Sequence, residues 1–337
     1  MCLSMIIDEN KEKVLGFNYD FYYHHGLITV NQRQLNKTSI PVEVGLSTAT
    51  WVSKYGSITF SQFGVELPSA GMNEKGLSIV MLFHEEGQFP DNQNGSISEL
   101  QWIQFQLDNY ATVEEVISNL HLHTPSASFY CLHYSMLDAF GNSAIIEFIE
   151  GEASIYFNES PHIISNTSYK ASINYALAKE KIEGKTNNDE LTSLNRFMMG
   201  YQEMMDYSEE DTAIHILQKC SLPEKNQSIW QWIGQEIPQT YTAWTITFRP
   251  ESKKIIYTTC SDKNEKIIDL NVLDFETIFN RSSLDVNNSF KGDVMNKFHK
   301  YDYQENKKII RKSYQQLTDE LTEDFLTELT HYPDNFH

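Results

Sequence analysis

The chain has 337 residues, and its 26 Lys and Arg against 46 Asp and Glu give a formal net charge of -20. This length accommodates one large domain, or one domain with an appendage, and a sizeable core. The acidic balance disfavours binding to nucleic acids and to anionic membrane surfaces. No apolar run reaches the roughly 18 residues that span a bilayer, and the N-terminus lacks the features of a secretory signal. We therefore expect a soluble cytoplasmic protein.

Strand-rich and helix-rich stretches alternate along the chain. Hydrophobic alternation and turn residues predict strands at 2–7, 14–21, 27–31, 58–60 and 77–83. Helical spacing predicts helices at 98–109 and 112–120, with Thr112 as the cap of the second. Strands follow at 129–137, 143–149 and 153–157, then helices at 169–183, 191–205 and 212–220, and a hairpin at 243–248 and 254–259. This order favours two packed sheets with helices outside them, and not a repeating βαβ unit.

The C-terminal part has a different pattern. Residues 282–304 are polar and weakly patterned, which predicts a linker after a domain at 2–281. Apolar residues then recur at helical spacing and predict an amphipathic helix over 305–329: Ile310, Tyr314, Leu317, Leu321 and Phe325. This helix of the extension 282–337 either packs on its own domain or forms an interface in a homo-oligomer.

The four cysteines are Cys2, Cys131, Cys220 and Cys260, and they are far apart in the sequence. A structural zinc site needs close cysteine pairs, and a disulfide framework is typical of shorter secreted chains. We therefore predict no metal site. His84 and the pair at 121 and 123 lack the spacing of a zinc-binding helix and are predicted to be surface or loop histidines.

Cys2 lies at the start of a predicted hairpin. If its turn centres near Asn10, paired residue numbers add up to about 21. Cys2 then lies opposite Tyr19, with Asp20 as a direct or diagonal neighbour. The hairpin therefore places a carboxylate beside a cysteine near the N-terminus.

This pairing has a chemical meaning if Met1 is removed. Cys2 then carries both a thiol and a free α-amine, whose ordinary pKa values are about 8.5 and about 7.7–8.0. The amine can accept the thiol proton at neutral pH, and Asp20 can hold the amine. Taken alone, a Met-Cys start and an aspartate after a short strand also fit a purely structural role.

Further segments make the chain resemble a known family. Met1 and Cys2 followed by GFNYDF at 16–21 resemble the start of the choloylglycine hydrolase and penicillin V acylase family. Other segments match that family in the same order: VNQR at 30–33, GMNEKGL at 71–77, NYATVEEV at 109–116, DAFGN at 138–142 with IIEF at 145–148, SNT at 165–167 and NRF at 195–197. The resemblance covers roughly residues 2–277. It implies an α+β fold, the four-layer αββα sandwich of the N-terminal nucleophile hydrolases.

The resemblance also implies an activity and a role for each matched residue. The family cleaves linear amide C–N bonds through a cysteine thioester, without a metal or an organic cofactor. Cys2 would be the nucleophile and, through its amine, the general base. Asp20 would hold that amine, Asn166 would stabilise the oxyanion, and Arg196 would stabilise the site electrostatically.

Two positions differ from the better-studied family members. Phe17 stands where they carry arginine, and Phe83 stands where bile-salt hydrolases carry an asparagine that stabilises the oxyanion. Both replacements make the site more apolar, so we expect Phe17 and Phe83 to contact an apolar acyl group. The expected substrate is a small N-acylated amine or amino acid. The alternatives are an acyltransferase on the same scaffold and a catalytically inert homologue that binds a ligand.

Overall fold

The computed structural model of the protein describes residues 2–40, 47–91, 97–127, 130–180, 192–208, 211–224, 229–232, 235–238, 240–276, 281–315 and 322–336. Within these ranges no helix is both long enough and apolar enough to cross a membrane.

The described residues form 22 strands in chain order: β1 (Leu3–Glu9), β2 (Glu12–Phe21), β3 (Leu27–Asn31), β4 (Asn36–Thr38), β5 (Thr50–Val52), β6 (Ser57–Ser61), β7 (Pro68–Asn73), β8 (Ser78–Phe83), β9 (Ile97–Ser98), β10 (Pro125–Ser126), β11 (Leu132–Leu137), β12 (Ser143–Ile149), β13 (Glu152–Phe157), β14 (Ile163–Ile164), β15 (Ile229–Trp232), β16 (Gln235–Pro238), β17 (Tyr241–Arg249), β18 (Lys254–Thr259), β19 (Lys266–Asp269), β20 (Ser282–Asp285), β21 (Gly292–Asp293) and β22 (His299–Lys300).

The same ranges contain seven α-helices: α1 (Gln101–Asn109), α2 (Val113–Asn119), α3 (Tyr169–Glu180), α4 (Ser193–Met205), α5 (Ala213–Lys219), α6 (Tyr303–Tyr314) and α7 (Glu323–His331). Single 3-10 turns cover Leu270–Val272, Met295–Lys297 and Tyr332–Asn335. Thr112 caps α2 as predicted, since its side chain accepts a hydrogen bond from the Glu115 backbone N–H.

Two large sheets form the centre of the molecule. The seven-stranded sheet has the order β14-β1-β2-β17-β18-β19-β21, and the nine-stranded sheet has the order β13-β12-β11-β8-β7-β6-β3-β20-β22. Phe60 of the nine-stranded sheet packs edge-on against Phe248 of the other, with ring centroids 6.3 Å apart. The main apolar core therefore lies between the sheets.

Helices cover the outer faces of both sheets. Helix α1 contacts β7 and β8, while α4 contacts β1 and α5 contacts β2 and β17. A second apolar cluster joins Leu3, Met5 and Ile7 of β1 to Phe197 of α4 and Leu217 of α5. The fold is thus the expected αββα arrangement, because each sheet buries one face against the other and its second face under helices.

The N-terminal hairpin has the predicted register. Leu3 pairs with Asn18 and Glu9 with Glu12, so paired numbers add up to 21. Asn10 and Lys11 form the turn, both with positive φ, of 52° and 69°. The pairing confirms that Cys2 lies beside Tyr19 and Asp20.

Gly200 allows α4 to approach the sheet closely. A Cβ atom at this position would lie 2.7 Å from Cδ1 of Ile163 and 2.9 Å from Cε of Met5. Contacts this short are essentially absent from proteins, so glycine sets the distance between α4 and β1. This distance matters for the site, because α4 carries Arg196.

The C-terminal region differs from the expected linker and single helix. Strand β20, at residues 282–285, pairs with β3 in the nine-stranded sheet. In the described residues the expected helix over 305–329 is two helices, α6 ending at Tyr314 and α7 beginning at Glu323 with Thr322 as its cap. Leu317 and Leu321 of the expected pattern lie outside the described residues. Residues Ile310, Tyr314 and Leu326 of these helices pack on Phe63 and Leu67, so their apolar faces cover the chain's own domain.

Candidate active site

Cys2 is buried where β1 begins, at 5% of its maximal exposure. Its Sγ lies 3.8 Å from the backbone carbonyl oxygen of Asp20. Burial raises the pKa of the Cys2 thiol to about 11, because the thiolate loses its hydration. The thiol is therefore protonated near neutral pH, and a nucleophilic role requires a base beside it. Met1 lies outside the described residues.

The Asp20 carboxylate is held by two side chains from other elements. Arg196 donates from Nη2 to Oδ2 at 3.0 Å and from Nε at 3.1 Å, and both side chains are completely buried. Thr242, the register partner of Asp20 on β17, donates from Oγ1 to Oδ1 at 2.6 Å. Such a buried charge pair fixes the orientation of both groups.

The Arg196 guanidinium is anchored at a second point. Its Nη1 donates to the carbonyl oxygen of Cys220, at the C-terminal end of α5. The positive charge of Arg196 favours the Cys2 thiolate, although burial outweighs this effect on the pKa of the thiol. The cation therefore lies close enough to Cys2 to act on it electrostatically.

Asn166 follows β14, which flanks β1 on the side opposite to β2, the strand of Asp20. Ser4 pairs with Ile164 across β1 and β14, and continuing this antiparallel register places Cys2 opposite Asn166. A hydrogen bond from Oγ of Ser165 to the Cys2 carbonyl oxygen, at 2.9 Å, fixes the position of this segment relative to Cys2. The four predicted catalytic positions thus converge on the beginning of β1.

Three hydrogen bonds hold Asn166 itself. Its side-chain Nδ2 donates to the carbonyl oxygen of Phe83 at 2.6 Å, and its backbone N–H donates to Oγ of Ser193 at 2.9 Å. Its own carbonyl oxygen accepts from the Glu85 backbone N–H at 3.0 Å. Because an amide nitrogen has two hydrogens, one remains for a developing oxyanion after the bond to Phe83.

The two predicted substrate contacts lie in different environments. Phe17 is completely buried between the sheets, 6.0 Å from Tyr19 between ring centroids, and has no exposed area to offer a ligand. Phe83 is 37% exposed at the end of β8, and its ring packs edge-on against Tyr130 at 5.4 Å. The structure thus leaves Phe83, together with Tyr130, as an accessible aromatic surface beside Asn166.

Sequence reasoning missed Thr242, Ser165 and Ser193, which hold the predicted residues in place. Ser165 lies within the recognised segment at 165–167, and Ser193 lies two residues before the segment at 195–197, so both had a sequence signal. Thr242 had none, since its contact with Asp20 depends on the pairing of β17 with β2.

Of the two predicted environments for His84, surface or loop, the surface is wrong: His84 lies in the loop after β8, but its side chain is buried. His84 is 1% exposed, and its ring stacks on that of His133, with centroids 4.5 Å apart. With Glu147 these histidines form a buried group whose potential ligand atoms lie within 4.8 Å of one another. The two ring planes are only 8° apart, however. Because imidazole lone pairs lie in the ring plane, face-to-face rings do not converge on one ion, and the donor set fits a metal poorly.

Two facing sheets between layers of helices, with a cysteine at the start of an inner strand, define the fold class of the N-terminal nucleophile hydrolases. Residues 2–210 match the family model described as linear amide C–N hydrolases, choloylglycine hydrolase family. The match extends over more than half of the chain, so the chain belongs to this family of linear amide hydrolases.

Individual relatives agree with this assignment. Over 140 residues the chain is 33% identical to a penicillin V acylase of Pectobacterium atrosepticum, an alignment covering 36% of this chain and 37% of that protein. The chain thus matches little more than a third of the length of this curated relative.

Solved structures support the fold. Penicillin V acylase from Agrobacterium tumefaciens superimposes with a TM-score of 0.73 at 22% identity, covering 90% of this chain and 98% of that one. The C2A mutant of the conjugated bile acid hydrolase from Clostridium perfringens gives 0.67 at 15% identity, covering 87% and 98%.

Proposed function

We propose that this protein is an N-terminal cysteine amidohydrolase that cleaves the linear amide C–N bond of an N-acylated amine or amino acid. The observation that carries the proposal is the convergence of Cys2, the buried Asp20–Arg196 pair and Asn166 at the start of β1. Family membership supports the reaction type. We also propose a cytoplasmic location and a small-molecule substrate; the net charge of -20 disfavours nucleic acids and anionic membrane surfaces as partners.

The base in this proposal is the α-amine of Cys2, exposed by removal of Met1. The buried thiol has a pKa raised to about 11 and needs a proton acceptor within reach. The amine is attached to the same residue, and its ordinary pKa of about 7.7–8.0 suits proton transfer at neutral pH. Asp20, fixed by Arg196 and Thr242, supplies the negative charge that orients the protonated amine.

The reaction then proceeds in two halves. The amine takes the thiol proton, the Cys2 sulfur attacks the amide carbonyl carbon, and the oxyanion receives a hydrogen bond from Asn166. The protonated amine gives its proton to the leaving nitrogen as the C–N bond breaks, which leaves a thioester. A water molecule, deprotonated by the amine, attacks the thioester and releases the carboxylic acid and the thiol.

The acyl part of the proposed substrate is apolar and aromatic. The ring of Phe83 is exposed close to Asn166, the proposed oxyanion donor. The carbonyl oxygen of Phe83 accepts a hydrogen bond from Nδ2 of Asn166. The ring of Phe83 and that of Tyr130 form a surface against which a flat acyl group can pack edge-on or face-on. Phe17 is completely buried in the core between the sheets and is not part of this surface.

The test begins with the mass of the purified chain, before and after reaction with a thiol-reactive mimic of an acyl amide. We expect a chain without Met1 that carries one adduct, mapped to Cys2. The Cys2→Ala variant is then expected to lose hydrolysis of phenoxyacetyl amides, N-acyl amino acids and conjugated bile acids alike. Cys260→Ala, which removes a half-buried thiol elsewhere, is the matched control and should keep the activity.

Two results would count against the proposal. Hydrolysis that persists in Cys2→Ala would show that another group is the nucleophile. A chain that retains Met1 and shows no adduct would favour the inert homologue. Product analysis with a competing amine separates hydrolysis from acyl transfer, because a transferase would form the new amide in place of the acid.

A further inference from the structure

A buried group of three titratable side chains contacts the segment that carries Asn166. His84 follows β8, His133 lies in β11 and Glu147 lies in β12. The imidazole of His133 approaches Glu147 with 3.1 Å between Nδ1 and Oε1, and both side chains are completely buried. The mechanism described above uses none of these three residues.

His133 contacts the residue that precedes Asn166. Its Nε2 lies 2.6 Å from the carbonyl oxygen of Ser165. A carbonyl oxygen only accepts hydrogen bonds, so Nε2 carries the hydrogen and donates it. Glu147 holds the other side of the ring, and its Oε1 is itself fixed by the backbone N–H of Tyr169 at 2.7 Å. This relay gives the backbone at Ser165 a defined position.

His84 lies on the segment that holds Asn166 from the other side. Its predecessor Phe83 accepts the hydrogen bond from Nδ2 of Asn166, and its successor Glu85 donates to the carbonyl oxygen of Asn166. Stacking of His84 on His133 therefore connects the segment at 83–85, which hydrogen-bonds to Asn166, with the segment at 165–166, which carries it.

His84 contacts His133 through the face of its ring and not through a ring nitrogen. Neither of its ring nitrogens has a hydrogen-bond partner among the described residues. Burial lowers the pKa of His84 to about 4, so the ring is neutral near pH 7 and stacks on His133 without charge repulsion.

We propose that the stacked rings of His84 and His133, with His133 anchored by Glu147, are positioning residues that hold Asn166 in place to stabilise the oxyanion. This inference rests on the proposed function, in which Asn166 is the oxyanion donor. A displacement of about 1 Å at a reacting centre costs about 10²-fold in rate. Loss of the stacked rings or of the hydrogen bond from His133 should therefore lower kcat by about 10–100-fold and change KM little.

Two pairs of variants separate the hydrogen bond from the stacking. His133→Gln keeps a donor for Ser165, whereas His133→Leu removes it, so we expect the glutamine variant to retain about tenfold more kcat. His84→Phe keeps a ring face and His84→Ala removes it, so the phenylalanine variant should stay near wild type and the alanine variant should lose activity. His162→Leu is the control, because it removes a buried imidazole that bonds to Ser135 and not to Ser165.

The rate of Cys2 alkylation by iodoacetamide distinguishes positioning from general damage. Alkylation needs the nucleophile but no oxyanion donor, so it should stay within about threefold of wild type while amide hydrolysis falls. Parallel losses of alkylation and hydrolysis would overturn the inference. Equal losses in His84→Phe and His84→Ala would also overturn it, since the ring nitrogens, and not the ring face, would then be required.

The inference and the proposed function fail in different ways. Should His133→Leu not fold, the two His84 variants still test the stacking, and unchanged kcat in His84→Ala would then overturn the inference. An active wild type with unchanged kcat in His133→Leu and His84→Ala would overturn the inference alone. A wild-type chain without amidase activity would overturn the proposed function, and the inference with it.

Discussion

Arg196 and Asp20 form a completely buried ion pair, with 3.0 Å between Nη2 and Oδ2, that joins helix α4 to strand β2. The pair connects the outer helical layer to the strand next to the nucleophile. Both charges are removed from water in the folded protein, so removal of one leaves the other buried without an opposite charge, although Asp20 keeps its hydrogen bond from Thr242. The stability of the fold and the geometry of the site therefore depend on the same contact.

We expect Arg196→Met to destabilise the protein by about 3–5 kcal/mol, because Asp20 is left as an unpaired buried charge. Denaturant unfolding measures this loss. Arg311→Met is the matched control, because Arg311 pairs with Glu323 on the surface and exposed pairs contribute about 1 kcal/mol or less. Equal stability of the two variants would mean that the buried pair is not a significant constraint on the fold.

Asn166→Ala should lower kcat by about 10²–10³-fold, the usual effect of removing one oxyanion donor. KM should change little, because the lost hydrogen bond strengthens in the transition state. Steady-state kinetics on the best amide substrate tests this, with Asn271→Ala as a control that removes an exposed asparagine. An effect confined to KM would argue that Asn166 binds the substrate and does not stabilise the oxyanion.

Stability should fall in acid because two histidines are buried in the neutral form. Burial lowers the pKa of His162 to about 3 and that of His84 to about 4, against about 6.5 in the unfolded chain. The unfolded state thus binds more protons between these values, so the stabilisation is present above about pH 6.5 and is lost as the pH falls toward 3.

Each of these histidines contributes a slope of at most about 1.4 kcal/mol per pH unit within this window. His162→Gln keeps a polar group for Ser135 but does not titrate, so its free energy of unfolding should depend less on pH between 6 and 4. Asn271→Gln, at an exposed residue without a titratable group, should leave the slope unchanged. Urea unfolding at a series of pH values gives both slopes, and a steeper slope in His162→Gln would contradict the assignment.

The sequence predicts local features of the fold, such as the N-terminal hairpin, but only some of the contacts between residues far apart in the chain. The turn at Asn10 fixes the register that places Cys2 beside Asp20, because a short hairpin leaves little freedom. The partners of Asp20 are separated from it by 176 and 222 residues, and no local pattern encodes such contacts. Arg196 was found only through the family motif, and Thr242 was not found.

The same limit explains the errors. The polar segment at 282–285 has weak strand signals, yet it pairs with β3, because an open sheet edge supplies the backbone partners that its own sequence does not. His84 precedes two glutamates, and a surface or loop position was predicted for it. It does lie in a loop, but its backbone N–H donates to the carbonyl oxygen of Cys131 and its ring stacks on His133 in the interior. In both cases tertiary context outweighs composition.

Phe83→Ala should discriminate between acyl groups. The variant keeps the backbone carbonyl that holds Asn166, but it loses a ring that is 37% exposed and packed on Tyr130. Burying an aromatic acyl group against that ring contributes about 1.5 kcal/mol, which corresponds to about a tenfold loss of kcat/KM for a phenoxyacetyl amide. A short straight-chain acyl amide has less area to lose, so its kcat/KM should fall about threefold or less.

Phe140→Ala, at a ring that is 79% exposed in the turn at 138–142, is the control and should leave kcat/KM for both substrates unchanged. If Phe83→Ala lowers kcat/KM equally for both acyl groups, Phe83 acts only through its support of Asn166, and the aromatic surface is not an acyl-binding site.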